Sequence, residues 1–565
     1  MLFVALASDY DGTLAEDGRV AGTTLDALRR LKAFGKRLIL VTGRELPSLR
    51  QIFGELDLFD IVVAENGAVI SIPATGEESL ISSAPPANFV ERLRARGVSP
   101  LSVGRGIVAT WTPNEKAVID AVRDLGLDWQ VTFNKGAVMC LPPGVNKASG
   151  LAAALDRLHL SPVNVAGVGD AENDLAFLAV CGCSVAVANA LDTVKANVDM
   201  VTSAARGAGV REFIDLWRTD PEKAFSGIRR HDLPIGDAVP GGAPVNLPSN
   251  SGAILVAGSS GAGKSKLATL LLERITDRGY QACVVDPEGD YETLGYLAHI
   301  GDSRRTPSPE EVVGLLHSPS TNVSLNLLGT DPSDRPAYFE EFLSQLSTLR
   351  VSTGRPHWII LDEAHHLIPN TVESHYCAPD VSSSIIVTTR PSGLSAAALA
   401  AVRTVIGIGE NAQHLVVEFC ETVGEVAPPL GQIPNDMQVV VWERDSVEAP
   451  RLVAIERPRQ EHVRHTRKYA EGRLGEDKSF YFNGPANSLN LRAHNLATFL
   501  QLAQGVDDET WLFHLRRGDY TRWFRDSIKD GDLADEVESL ESSEDPVGSR
   551  EGLSASVKRR YAAAE

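Results

Sequence analysis

The sequence predicts an α/β multidomain protein: two parallel-sheet domains in series, the first interrupted by a small α/β insertion, followed by a small helical domain. Three observations lead to this expectation. In the first third, four short apolar runs each end in acids, hydroxyls or amides, as parallel strands do when their carboxyl ends line a site. In the middle, the apolar run 254–257 is followed by a glycine-rich loop and then by a helical segment. Between them, 234–250 is rich in Pro and Gly, a composition that cannot continue a helix and marks a join. At 565 residues the chain is too long for one core, and three or four domains are expected.

Composition narrows the function classes. A hydrophobic fraction of 43% with 23% charged residues is that of an ordinary globular protein. The formal net charge of −20 argues against a general nucleic-acid binder, though a local basic face remains compatible with it. The six cysteines are scattered, forming neither a disulfide framework nor a zinc pattern, and Cys181-Gly182-Cys183 is expected to be core packing. The first apolar strand runs straight into a motif, so no signal peptide is expected, and no apolar run approaches bilayer-spanning length. The expected compartment is the cytoplasm.

Taken in order, the chain opens on Ala7-Ser8-Asp9-Tyr10-Asp11-Gly12-Thr13-Leu14. A buried strand ending in Asp-x-Asp-Gly presents two carboxyls at its carboxyl end, and carboxylates held that close call for a cation, for which hard oxygen ligands suit Mg²⁺. A helix over 23–34, with Leu25, Leu28 and Leu31 on one face, leads to a strand over 37–41 and then to Thr42-Gly43-Arg44. Thr42 offers a hydroxyl, and Gly43 lets a backbone N–H approach a phosphate closely. A strand over 60–64 ends in Glu65-Asn66-Gly67. Lys147 precedes a helix over 148–158, and a strand over 163–168 ends in Gly169-Asp170-Ala171-Glu172-Asn173-Asp174.

These motifs, in this order over roughly residues 1–218, resemble the haloacid dehalogenase (HAD) superfamily of phosphohydrolases. The resemblance implies a Rossmann-like parallel sheet. It also implies that Asp9 is the nucleophile and Asp11 the general acid and then base, with Thr42 and Lys147 holding the phosphoryl oxygens. Gly43, Asn66 and Asn173 are the further phosphate-binding candidates. Mg²⁺ would be held by Asp9, the Asp11 carbonyl and Asp170, with Asp174 in support. Residues 84–145, with an expected α-β-α-β-β pattern, resemble the type two cap of this superfamily, in the compact version of small phosphoglycolate and sugar-phosphate phosphatases. Arg105, Trp111 and Asn134 are its candidate specificity residues, for which packing or solvation is the competing reading.

The second α/β domain is built on Gly258-Ser259-Ser260-Gly261-Ala262-Gly263-Lys264-Ser265, a P-loop in its strand–loop–helix context. Backbone N–H groups would wrap the β-phosphate of ATP, Lys264 would reach the β/γ oxygens, and Ser265 would ligate Mg²⁺. About a hundred residues on, the apolar run 358–361 ends in Asp362 and Glu363, which would hold Mg²⁺ through water and polarise the attacking water. With Asp286 and Thr389-Arg390-Pro391-Ser392, the region 225–458 resembles the HerA/FtsK-like ATPases. In relatives the sensor position is commonly glutamine, where this chain has Thr389. The resemblance implies a homo-oligomer, a hexameric ring among relatives, with Arg390 and Arg403 as candidates for an arginine supplied between subunits. His365-His366 is expected to be packing rather than a metal site.

The C-terminal part holds a basic run over 457–473, expected to be a solvated linker, then helical segments bearing Phe499, Trp511 and Trp523. His514, Arg516, Arg517 and Trp523 are weighed as ligand contacts against an ordinary helical core. The acidic, Ser-rich stretch 536–545 is expected to be mobile, with a short helix near 557–563. The expected organisation is a phosphatase core at 1–83 and 146–218, a cap at 84–145, a linker at 219–250, an ATPase at 251–458, a basic linker at 459–476, a helical domain at 477–540 and an acidic tail at 541–565. The function expected first is a Mg²⁺-dependent phosphatase for a small organic phosphate, coupled to an ATP-hydrolysing domain. The alternative is a ring-forming ATPase associated with DNA or RNA, whose phosphatase domain acts on nucleotides or nucleic-acid ends. Neither involves a membrane.

Overall fold

The structure is a computed structural model. It describes residues 3–561 except 135, 249–251, 372–380, 382, 430–433, 436, 445, 447, 461–468, 473, 486–487 and 529. The chain divides into two compact units. The first comprises 1–232, 248–250 and 349–355; the second comprises 233–247, 251–348 and 356–565. Among the described residues no helix is long and apolar enough to cross a membrane.

The first unit is built on an eight-stranded sheet. Its centre is parallel, with Ala5–Ser8 between Arg37–Val41 on one side and Val165–Gly169 on the other. Ile61–Ala64 and Cys183–Ala186 flank these, again in parallel. The central strands are buried on both faces, as their continuous apolar sequences require. One face packs Leu6, Leu28, Leu31, Phe213 and Trp217, and the other packs Ala5, Ile39, Leu151 and Leu155. Because the central strands run parallel, their carboxyl ends gather Asp9, Thr42 and Asp170 at one edge. A separate four-stranded antiparallel sheet with two helices, Ala87–Ala95 and Glu115–Asp124, forms the cap around its own core of Phe89, Leu93, Val118 and Trp129.

Two glycines fix where the helix Lys147–Leu158 starts. Gly67 has a φ of +110°, and a Cβ there would fall 2.0 Å from the Asn146 carbonyl oxygen. A Cβ on Gly150 would fall 2.5 Å from the Gly67 Cα. The helix therefore abuts the 65–67 turn, and a reciprocal Asn146–Ser149 cap sets its first residue, Lys147. Since the clash is with backbone, Gly150→Ala should cost about 1–3 kcal/mol. That is expected to lower the melting temperature of the unit by roughly 5 °C and to displace Lys147. Circular dichroism melting together with phosphatase turnover checks this, and an unchanged melt would remove the close-packing explanation.

The second unit holds an eleven-stranded sheet. Seven strands are parallel, with Ala253–Gly258 between Val402–Ile408 and Ser384–Thr388, followed by Trp358–Leu361 and Ala282–Asp286. Four antiparallel strands extend one edge. Two of them, Leu233–Val239 and Pro244–Leu247, come from the stretch read as a linker. Their Pro and Gly residues form the hairpin turn, where Gly241 and Gly242 take φ of +123° and +67°. The helix Pro221–Phe225 from the same stretch belongs to the first unit, where Phe225 stacks on Phe3 at 4.0 Å.

The C-terminal part also departs from expectation. A two-stranded sheet, Phe480–Phe482 with Leu491–Ala493, is packed with helices around Phe499, Trp511, Tyr520 and Phe524. The stretch read as an acidic tail contains the helix Pro546–Tyr561, which buries Leu553 and Val557 in that core. Those apolar positions are four apart and lie beyond the acidic run, whose composition dominated the reading. Of the basic run, 461–468 and 473 lie outside the described residues. Arg459 pairs with Glu273 and Asp277 on the helix Lys264–Asp277.

Candidate active sites

In the first unit, Asp9 follows the strand Ala5–Ser8 and is nearly fully buried. The Asp9 N–H donates to the Val168 carbonyl at 2.9 Å, which ties it to the neighbouring strand. Lys147 donates to Asp9 Oδ1 at 2.6 Å and to Asp174 Oδ1 at 2.5 Å. Asp174 Oδ2 accepts the backbone N–H groups of Asp170 and Ala171, each at 2.9 Å, and Thr13 donates to Asp170 at 3.2 Å. Carboxylate oxygens of Asp9, Asp170 and Asp174 lie within 4.8 Å of one another. These residues come from both ends of a stretch of more than a hundred residues and meet because their strands are sheet neighbours.

With all three acids ionised, three carboxylates against one ammonium would leave an excess of two negative charges in a buried site. Burial pushes the Asp9 carboxyl up to about 8, Asp174 adds to the shift, and Lys147 pulls against both. Burial works against charge on Lys147, but Asp174 and Asp9 outweigh it and hold the ammonium above its ordinary value. A hard divalent cation answers both the charge excess and the all-oxygen donor set, so the residues present fit Mg²⁺.

The phosphate-side candidates cluster beside Asp9. Thr42 is fully buried; its N–H donates to the Val63 carbonyl at 2.8 Å, and its hydroxyl accepts the Arg44 N–H at 3.1 Å. Asn66 takes the left-handed backbone, φ +55°, and accepts from the Asn173 amide at 3.1 Å. Both side chains stand 4.0 Å from where a Cβ on Gly43 would lie, so Gly43, Asn66 and Asn173 share one corner.

Asp11 stands apart. Its two oxygens accept from Arg44 Nε at 2.6 Å and Nη2 at 2.7 Å, a bidentate pair. Sequence reasoning quoted Arg44 as part of a motif and gave it no role. A cavity of about 420 Å³ opens over Asp9, Asp11, Arg44 and Lys147, and the cap closes it with Thr110, Trp111 and Asn134. Two of the three candidate specificity residues thus reach the cavity. Arg105 instead pairs with Glu78 at 3.0 Å. Cap and core are joined by a hydrogen bond from Ser102 to Glu45 and another from the Gly106 N–H to Glu65, 2.7 Å long.

The family model described as haloacid dehalogenase-like hydrolase matches 6–95 and 116–214. A phosphoglycolate phosphatase of Methanothermobacter thermautotrophicus is 32% identical over 218 residues, which is 37% of this chain and 96% of that protein. The chain belongs to the haloacid dehalogenase-like hydrolases. A phosphoglycolate phosphatase of Halorubrum lacusprofundi is 33% identical over 35% of this chain and 90% of its own length. A solved haloacid dehalogenase-like hydrolase from Bacteroides thetaiotaomicron aligns with 38% of this chain and 98% of its own, at 20% identity and a TM-score of 0.34.

Beyond its HAD part, the chain carries a second candidate phosphate site. Gly258 ends a buried strand, and Gly261 and Gly263 take φ of +83° and +106°, backbone that glycine adopts freely. The loop turns there into the helix Lys264–Asp277, while Ser260 and Gly261 form an exposed rim with half-buried Ala262 behind. Lys264 is fully buried, donates to the Ser259 carbonyl at 3.2 Å and stands 4.0 Å from Glu363. Ser265 and Asp362 are buried nearby, Asp362 following the strand Trp358–Leu361. Glu363 takes the left-handed backbone, φ +41°, a strained conformation for a non-glycine residue. Asn411, which sequence reasoning passed over, donates to the Ser259 hydroxyl at 3.1 Å.

Arg390 is exposed just past the strand Ser384–Thr388, with its N–H donating to Thr388. Burial holds His365 below its ordinary pKa, against Glu363 and with help from Arg390 and Lys264. Burial and then His365 push His366 down to about 3. Neither histidine joins a metal-ligating group among the described residues. Arg403 lies exposed on the strand Val402–Ile408.

In the C-terminal part, His514 is saturated by its own fold. Nδ1 faces Asp519 at 2.9 Å and Nε2 accepts the Asn483 N–H at 3.1 Å, so packing accounts for it. The family model described as the central domain of the helicase HerA matches 241–349. The chain is therefore an enzyme that joins a HAD-type phosphatase to a HerA-like P-loop ATPase.

Proposed function

We propose that the first unit hydrolyses small phosphate monoesters with Mg²⁺, through an aspartyl-phosphate on Asp9. The cluster of Asp9, Asp170 and Asp174 around Lys147 is the observation that supports this most directly. In this reading a carboxylate oxygen of Asp9 attacks phosphorus, and the ester oxygen leaves with a proton from Asp11. Asp11 then takes a proton from water, whose oxygen attacks the phosphoryl group to release inorganic phosphate and restore Asp9. Lys147, Thr42, Gly43, Asn66 and Asn173 hold the phosphoryl oxygens as charge develops on them. Asp9, Asp170 and Asp174, with the Asp11 carbonyl, are the residues that would hold Mg²⁺. Bound there, it would neutralise phosphoryl charge.

The relatives named phosphoglycolate phosphatases suggest a substrate of that size, and the 420 Å³ cavity suits it. In the second unit, Gly258 to Ser265 would bind ATP, with Ser265 and Asp362 on its Mg²⁺, Glu363 on the attacking water and Arg390 at the γ-phosphate. Assembly into a cytoplasmic homo-oligomer goes with this reading, and a ring-forming ATPase associated with DNA or RNA is the alternative to it.

The test is a panel of phosphate esters with and without Mg²⁺. Turnover of one small ester is expected to exceed the rest, and chelation by EDTA to abolish it. Mg²⁺ at about a hundred times its dissociation constant should stabilise the first unit by about 2.7 kcal/mol in a thermal melt. Metal-independent turnover, with no thermal response, would discard the cation assignment.

A further inference from the structure

Among the described residues that line the cavity holding Asp9, Arg44 and Lys147 are the cations, and they are held very differently. The Lys147 side chain is 2% exposed, and its partners Asp9 and Asp174 are 6% and 0% exposed. The Arg44 side chain is 30% exposed and Asp11 is 46% exposed. The first pair is locked into the buried cluster. The second is a bidentate ion pair that solvent reaches, so an incoming anion can compete for it as it cannot for the buried cluster. The backbone of Arg44 is held independently of Asp11, and its guanidinium also lies against an aromatic ring. Its N–H donates to Thr42, its carbonyl accepts from Glu65 at 2.9 Å, and its guanidinium lies 5.8 Å from the centre of the Tyr10 ring.

The pairing also places Asp11 badly for the task assigned to it. With both oxygens accepting from the guanidinium, neither is free to hand a proton to a leaving ester oxygen. A carboxylate on the leaving group would resolve this. It has the planar two-oxygen shape that a guanidinium grips bidentately, and Lys147 is already committed to Asp9 and Asp174.

We propose that Arg44 is the specificity residue for the leaving group. It takes the carboxylate of a phosphorylated hydroxy acid in the grip that holds Asp11 here, and the exchange frees Asp11 to face the ester oxygen. This rests on the phosphatase reading and names its substrate class. Anionic leaving groups are then selected twice, by binding and by release of Asp11.

The test compares two esters of similar size on the full-length protein with Mg²⁺: phosphoglycolate, which carries a carboxylate, and 2-hydroxyethyl phosphate, which does not. The wild type is expected to prefer phosphoglycolate by about a hundredfold in kcat/KM, less than the roughly 10⁴-fold of a fully buried polar site because Arg44 is partly exposed and keeps Asp11 when no carboxylate arrives. Arg44→Gln should bring that ratio close to one, mainly through the KM for phosphoglycolate. Arg44→Lys, which keeps the charge without the fork, should fall between and guards against a folding defect in the first variant. A wild type without preference, or an equal proportional loss on both esters in Arg44→Gln, overturns the proposal. Hydrolysis of p-nitrophenyl phosphate by the wild type reports separately on the phosphatase reading. If that fails as well, the fault lies there and not with Arg44.

Discussion

Asp9→Asn is expected to lower phosphate release from small esters by at least about three orders of magnitude while leaving ATP hydrolysis at the wild-type rate. The size follows from the role: without a carboxylate oxygen to attack phosphorus there is no covalent route, and what remains is positioning by the rest of the site. The substitution is nearly isosteric, and Lys147 still meets an oxygen at position 9 and the Asp174 carboxylate, so the fold should survive. Asparagine also carries no charge to bury, and burial, with Asp174 adding to it, is what lifts the Asp9 carboxyl to about 8. The apo first unit should therefore melt no lower than the wild type, and its thermal response to Mg²⁺ should weaken. Malachite-green phosphate release on small esters, run beside a coupled ATPase assay, reads both outcomes. Retained ester turnover would falsify the nucleophile assignment.

Lys264→Ala is expected to do the reverse, lowering ATP hydrolysis by about a hundredfold or more with ester hydrolysis intact. The side chain is fully buried, between the Ser259 carbonyl and Glu363. Its truncation removes the cation that would meet the β/γ oxygens, and losing one preorganised charge-stabilising group typically costs that much. It also leaves Glu363 without its neighbouring cation. The same variant addresses assembly. If ATP drives ring formation, light scattering should show a mass increase with ATP for the wild type and none for Lys264→Ala. A wild-type mass independent of ATP would remove nucleotide-driven assembly. ATP hydrolysis stimulated by duplex DNA would favour the nucleic-acid alternative, and an unstimulated rate would count against it.

Much of the phosphatase site was legible because its chemistry is written in short motifs at strand ends. Asp9, Thr42, Asp170 and Asp174 each follow an apolar run, and a parallel sheet brings such ends to one edge. The P-loop was legible for the same reason. Its glycines are spaced for backbone at positive φ, and a lysine and a serine follow them. Of the C-terminal helix over 546–561 only the end, near 557–563, was legible; the rest was hidden by composition, since two buried apolar side chains on a polar segment give too weak a period to outweigh an acidic neighbourhood. The hairpin over 233–247 was hidden by its Pro and Gly, which mark its turn and not a break in structure.

Pairings across the chain were not legible. Nothing local says that Arg44 grips Asp11 and not a cap residue, or that Arg105 turns away to Glu78 while Trp111 and Asn134 reach the cavity. The close approach of Gly150 to Gly67, which sets Lys147, likewise joins two segments that carry no mark of each other.

The sequence by itself determined the chemical groups of this protein: which side chains are acids and cations, where the glycine-rich loop lies, and that they sit at the ends of buried strands. Those properties depend on residue type and on a hydrophobic period spanning a few neighbours. The tertiary structure alone decided which acid faces which cation and how exposed each pair is. Burial and partnership arise only when distant strands and helices pack, and they separate a buried Lys147 from an Arg44 that solvent reaches.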